Sequence, residues 1–145
     1  MKPSGDIYAF SRESILEEHA GRLEGNREGL VLVVFTEPLN DAATNALQKS
    51  FNALGYGNDA NLYANIDGLS RDAVFDLVEG IDPLALVACD AKAVDLCSQA
   101  VRQPFPPMQK TRLFGREARA FAHLNTMFET EMDKQAVWHQ LKSMV

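Results

Sequence analysis

Six consecutive apolar residues, Leu30-Val31-Leu32-Val33-Val34-Phe35, stand between Gly29 and Thr36-Glu37-Pro38. A half-buried strand alternates apolar and polar residues, and this run does not alternate. A strand covered on both faces reads this way, and such strands belong to parallel sheets flanked by helices. Two more segments repeat the pattern in weaker form, Leu62 to Ile66 and Leu84 to Cys89.

Helical periodicity fills the intervals between them. Asp41 is read as the cap of a helix from Ala42 to Leu54, with Ala43, Leu47, Phe51 and Leu54 inward. Ser70 caps a helix to Val78, and Asp90 caps one to Val101 with Ala93, Val94, Cys97, Ala100 and Val101 inward. Thr130 caps the last, to Met144, burying Val137, Trp138, Leu141 and Met144. Such oxygen-bearing side chains satisfy the first free N–H groups of a helix. An earlier helix is expected over Ser11 to Leu23, after a short extended piece at Ile7 to Phe10. Between the third strand and the last helix, Arg112 to Phe114 and Arg119 to Ala122 flank Gly115-Arg116. This is either a hairpin or a loop feeding one strand.

Strands alternating with helices imply right-handed crossovers. The expected fold is therefore a three-layer α/β/α domain on a central, mostly parallel four-stranded sheet. The 145 residues suit a single domain, here 1–29 as an N-terminal extension and 30–145 as the core. No apolar run approaches the roughly 18 residues that span a bilayer, and Met1-Lys2-Pro3-Ser4-Gly5-Asp6 lacks the apolar stretch of a secretory signal. A cytoplasmic location without membrane contact is the expectation. Cys89 and Cys97 form no CxxC pair and have no neighbouring ligands in sequence, so buried reduced thiols are expected, with no metal and no cofactor.

The net charge of −6 opposes sequence-blind binding to phosphate backbones. Its distribution is uneven. Residues 102–119 carry Arg102, Lys110, Arg112, Arg116 and Arg119 against Glu117, a local +4 that leaves −10 elsewhere. This is either a solvated loop or a nucleic-acid contact through Arg112, Arg116 and Arg119.

Ligands of open α/β sheets sit beyond the carboxyl ends of the strands. The residues delivered there are Thr36, Glu37 and Asn40, then Asn65 and Asp67, then Asp90, then His123 and Asn125. GxGxxG, GxxxxGKS and GxSxG are all missing from the sequence, which sets aside dinucleotide enzymes, P-loop NTPases and α/β-hydrolases.

Four segments resemble the uracil-DNA glycosylase superfamily. Val33-Val34-Phe35-Thr36-Glu37-Pro38 is similar to its first motif, a strand ending in Gly-Glu-Ala-Pro-Gly. Asn52-Ala53-Leu54-Gly55 with Leu62-Tyr63-Ala64-Asn65-Ile66 resembles the helix and strand that follow. Asp82-Pro83-Leu84-Ala85-Leu86-Val87-Ala88 is similar to its Arg-Pro-apolar strand. Phe121-Ala122-His123-Leu124-Asn125, before a helix with Trp138 and Leu141, resembles the His-Pro-Ser motif and terminal helix. The resemblance covers residues 30–145. It implies that Glu37 orients water, Asn65 and Asn125 read the base edge, and His123 steadies the departing uracil anion. The chain departs from the family in having no glycine beside Glu37, no stacking aromatic after it, and Leu124-Asn125 where the family has Pro-Ser. Stacking is worth about 1–3 kcal/mol per base, so its loss weakens the hold on an extruded base.

Two readings follow. One is a degenerate, non-catalytic member of the fold acting as a protein-interaction or DNA-metabolism accessory module. The glycosylase-like psi subunits of bacterial DNA polymerase III resemble this case, in size and in the pattern near Ala136-Val137-Trp138-His139-Gln140-Leu141. The other is a divergent DNA glycosylase that excises uracil or a related damaged base. The partner is accordingly a protein or DNA.

Overall fold

The apolar runs become the interior of a twisted sheet in the computed structural model, which describes residues 12–145. The expected extended piece at Ile7 to Phe10 lies outside the described residues. Helix α1 occupies residues 12–18 and is followed by a 3-10 turn, Ala20–Arg22. The strands are β1 (Leu23–Gly25), β2 (Val31–Phe35), β3 (Asn61–Asn65), β4 (Ala85–Ala88), β5 (Thr111–Leu113) and β6 (Arg116–Ala120). The remaining helices are α2 (Asp41–Ala53), α3 (Arg71–Ile81), α4 (Ala91–Val101) and α5 (Glu131–Lys142).

The sheet order is β1-β3-β2-β4-β6-β5. β3, β2, β4 and β6 run parallel, with Val31 opposite both Asn61 and Ala85, and Ala85 opposite Glu117. The α/β class holds, but in place of the expected four strands the sheet has six among the described residues, because an antiparallel strand flanks each side of the parallel four. At one edge the expected helix over Ser11 to Leu23 stops at residue 18, and Leu23 pairs with Ala64. Gly25 ends that strand at φ +96, and a Cβ there would lie 2.6 Å from the Asn61 carbonyl oxygen. Only glycine fits such an approach at positive φ. At the other edge the segment after α4 is a hairpin. Its two-residue turn, Phe114-Gly115, has φ +55 and +74, the left-handed pair of a type I′ connection.

Two apolar layers form on the sheet. Leu32, Val34, Leu62, Leu86, Ala118 and Ala120 pack against α1, α3 and α4. Val31, Val33, Ala85, Val87 and Phe121 pack against α2 and α5. The uninterrupted β2 run therefore feeds both layers, and Val31 to Val34 are fully buried. Ser70, Asp90 and Thr130 cap their helices through side-chain oxygens. At α2 the cap is Asn40, which accepts from Ala43 N, and Asp41 becomes the first helical residue. Trp138 is only half-buried, whereas Val137, Leu141 and Met144 are buried.

Arg119 is the largest fully buried side chain. It shares a strand face with Glu117 and Phe121, and its guanidinium donates to the carbonyls of Thr111, Ala118, Gln140 and Ser143 and to the Ser143 hydroxyl. Glu117 lies 3.6 Å away. A cation thus binds the free carbonyls at the end of α5 and ties that helix to the hairpin.

Candidate functional site

The parallel strands follow the doubly wound order second-first-third-fourth, and its switch point lies between β2 and β4. A crevice of about 470 Å³ opens there. The β2 end contributes Thr36 and Glu37, the β3 loop Asp67, the β4 end Cys89 and Asp90, α4 Lys92, and the β6 end His123 and Asn125.

Asp90 fills the floor. Its Oδ2 accepts from the backbone N–H of Thr36 at 2.8 Å and of Glu37 at 3.1 Å. Its Oδ1 accepts from the Thr36 hydroxyl at 2.7 Å and from Ala93 N at 2.9 Å. One carboxylate therefore caps α4 and holds the turn after β2. Burial pushes the Asp90 pKa up, but hydrogen bonds from the Thr36 hydroxyl and from the Thr36, Ala93 and Glu37 N–H groups outweigh it and leave the group below its ordinary value. These N–H groups converge where an open α/β fold presents donors to an anionic ligand. Here the chain supplies the anion itself.

Of the residues assigned from sequence, Glu37, His123 and Asn125 meet in this crevice and Asn65 does not. Glu37 and His123 have exposed side chains. The backbone of His123 bridges to Asp90. Asn125 is spent on structure: its Oδ1 accepts from Asn40 N at 2.9 Å and its amide donates to the Pro38 carbonyl at 3.0 Å. Asn65 stands on β3, which β2 separates from β4. Its Oδ1 accepts from Asp67 N in a local turn, and its carbonyl accepts from Arg22. It lines a different hollow of about 390 Å³, beside Phe35, Tyr63 and Leu39. Those two rings line that hollow and not the crevice, and among the described residues no phenyl, phenol or indole ring lines the crevice itself.

The charge balance of the crevice is acidic. Glu37, Asp67 and Asp90 face Lys92, and Lys92 is paired with Asp67. The three arginines assigned to a basic contact surface have different fates. Arg119 is inaccessible, so its assignment to nucleic acid is corrected by complete burial. Arg116 is held by Glu79 and Asp82. Arg112 is exposed and donates to the Gly115 carbonyl, with no carboxylate within 4.0 Å among the described residues. Both line a hollow at the hairpin and not the crevice.

Cys89 and Cys97 are buried free thiols. Burial raises both pKa values, with the Asp90 charge adding to it, and Cys97 is pushed up to about 12. Neither is a nucleophile at neutral pH. Among the described residues no group of three His, Cys, Asp or Glu side chains is placed to hold a metal ion, and no helix is long and apolar enough to cross a membrane. Asp67, read from sequence at the end of β3, lines the crevice; Lys92 also lines it although neither strand ends nor motifs pointed to it, and its position in the first turn of α4 was the available signal.

No family model matches the chain, and no curated protein matches it.

Proposed function

We propose that the chain is a degenerate, non-catalytic glycosylase-like domain that works as a protein-interaction module, an accessory to DNA metabolism. The carrying observation is the Asp90 carboxylate, whose oxygens take donors from Thr36, Glu37 and Ala93 on the floor of the switch-point crevice. A glycosidic cleavage site needs donors aimed at charge that develops on the departing base. Donors already satisfied by a resident carboxylate cannot serve that charge. The acidic crevice also repels the phosphates on either side of an extruded nucleotide. Asn65 and Asn125, the residues the resemblance makes base readers, have their side chains engaged in backbone contacts.

One observation favours the second reading, a divergent glycosylase. Glu37 and His123 face the same crevice, and its volume of about 470 Å³ falls in the roughly 300–1,000 Å³ range of small-molecule sites. In that reading Glu37 orients water and His123 steadies the uracil anion.

Excision from uracil-containing single- and double-stranded oligonucleotides separates the two. The proposal expects no cleavage by the wild-type chain under single-turnover conditions. Cleavage that His123→Ala and Glu37→Gln both abolish would overturn it in favour of the enzyme.

A further inference from the structure

At the opposite end of the sheet from the crevice, the tip of the β5–β6 hairpin carries an aromatic where the turn calls for a different residue. Type I′ turns take Asn, Asp or Gly because both central residues have positive φ. Phe114 occupies the first of these positions at φ +55, a conformation that a bulky side chain disfavours. Its ring lies against Phe75 of α3, with centroids 6.1 Å apart. Phe75 is 42% exposed. Phe114 also lines a hollow of about 460 Å³ whose apolar walls are Tyr56, Leu84 and Met144, and Leu84 is 61% exposed. One continuous apolar strip therefore runs from Phe75 across Phe114 to Leu84.

The strip is bordered by negative charge. Asp72, Asp76, Glu79 and Asp82 follow the exposed side of α3 around Phe75, at helical spacing. Glu79 and Asp82 share Arg116, whereas Asp72 and Asp76 have no ion pair within 4.0 Å among the described residues. Arg112 and Glu117 line the far side of the hollow. On the α3 side the four carboxylates stand against two cations, the exposed Arg71 one turn before Phe75 and the shared Arg116, so that border stays net negative and favours a cation-bearing partner over an acidic one.

We propose that this strip docks a basic, amphipathic segment of a partner protein. An apolar side chain of that segment enters the hollow beside Leu84, and Arg or Lys side chains lie over the Phe75 and Phe114 rings within reach of Asp72 and Asp76. Aromatic faces attract such cations, and aromatic anchors inside a polar rim carry most of the affinity of protein interfaces. The inference rests on the reading of the chain as a protein-binding module and names the chemistry of its partner.

The test uses the isotope-labelled full chain, titrated with a 12-residue alternating Arg/Leu peptide, its Glu/Leu counterpart and a single-stranded uracil-containing oligonucleotide, with amide shifts followed by NMR. Saturable shifts centred on Phe75, Asp76 and Phe114 are expected with the Arg/Leu peptide alone. Phe114→Asn relieves the turn, so the fold persists, and with Phe75→Ser it is expected to weaken binding about tenfold or more. Asp72→Asn with Asp76→Asn is expected to do the same. Peptide shifts spread over every acidic surface, or unchanged affinity in these variants, overturn the docking site and leave the protein-binding reading standing. Saturable oligonucleotide shifts at Glu37 and His123, accompanied by excision, overturn both.

Discussion

Replacing Asp90 by Asn tests how firmly the crevice floor is built. The carboxylate presents two oxygens, each accepting two donors: Thr36 N and Glu37 N on one, the Thr36 hydroxyl and Ala93 N on the other. The amide keeps a single oxygen. If that oxygen continues to cap α4, its NH2 faces two backbone N–H donors that lose their acceptor. Leaving a buried donor unsatisfied costs about 1–3 kcal/mol, so Asp90→Asn is expected to lose about 2–5 kcal/mol. For a chain of this length that corresponds to a fall in Tm of roughly 5–20 °C. The sign with pH follows from the lowered folded pKa. Stability from this carboxylate is present above its unfolded pKa, about 3.9, and is lost as pH falls through the lower folded value. Urea unfolding of both proteins at pH 7 and at steps below pH 4 measures the gap. It should be full at pH 7 and narrow below pH 4. A gap under about 0.5 kcal/mol at pH 7, within the scatter of ordinary surface substitutions, would refute the reasoning.

Four further outcomes follow. Arg119→Met removes a buried cation with five hydrogen-bond contacts and strands Glu117; urea denaturation should report a loss of about 3–5 kcal/mol, and a neutral result would contradict the assigned structural role. Gly80→Ala places a Cβ 2.5 Å from Ile15 Cγ1, so it should destabilise the chain by about 1 kcal/mol or more, although alanine is the better helix former; a gain in Tm would count against the packing of α1 on α3. Asn125→Ala frees the loop after β2 from its bonds to Asn40 and Pro38 and should cost about 1–2 kcal/mol, with hydrogen exchange rising at Asn40. Cys89 and Cys97 should resist thiol reagents until the protein opens, and both reacting within seconds in the native state would contradict their burial.

The elements legible in the sequence share a strong local signal. The β2 run has no alternation to confuse its reading, and Ser70, Asp90 and Thr130 sit at the point where helical periodicity begins. β1 was not legible, because Leu23-Glu24-Gly25 carries no usable period and pairs only because β3 offers an edge. Composition likewise treats Arg119 as a surface cation. Only the alternation of Glu117, Arg119 and Phe121 against Ala118 and Ala120 puts it on a buried face. The candidate site was half legible. Glu37 and His123 follow strands whose ends meet, but Asn65 lies beyond β2 from that meeting point, and strand order is a tertiary fact. Asp90 was readable as a cap. Its bonds to Thr36 and Glu37 depend on β2 and β4 being neighbours, which no local pattern encodes.

The central claim is that a resident carboxylate occupies the place a nucleic-acid ligand would need. Its most direct test is the excision rate of uracil from a single-stranded oligonucleotide by excess Asp90→Asn protein beside the wild type, at low salt and at a temperature where both are folded. The account predicts no product from either, since the variant presents an amide in the same place and leaves Asn65 and the Phe35 and Tyr63 rings on the far side of β2. Product from the wild type at a rate that falls with His123→Ala would contradict it.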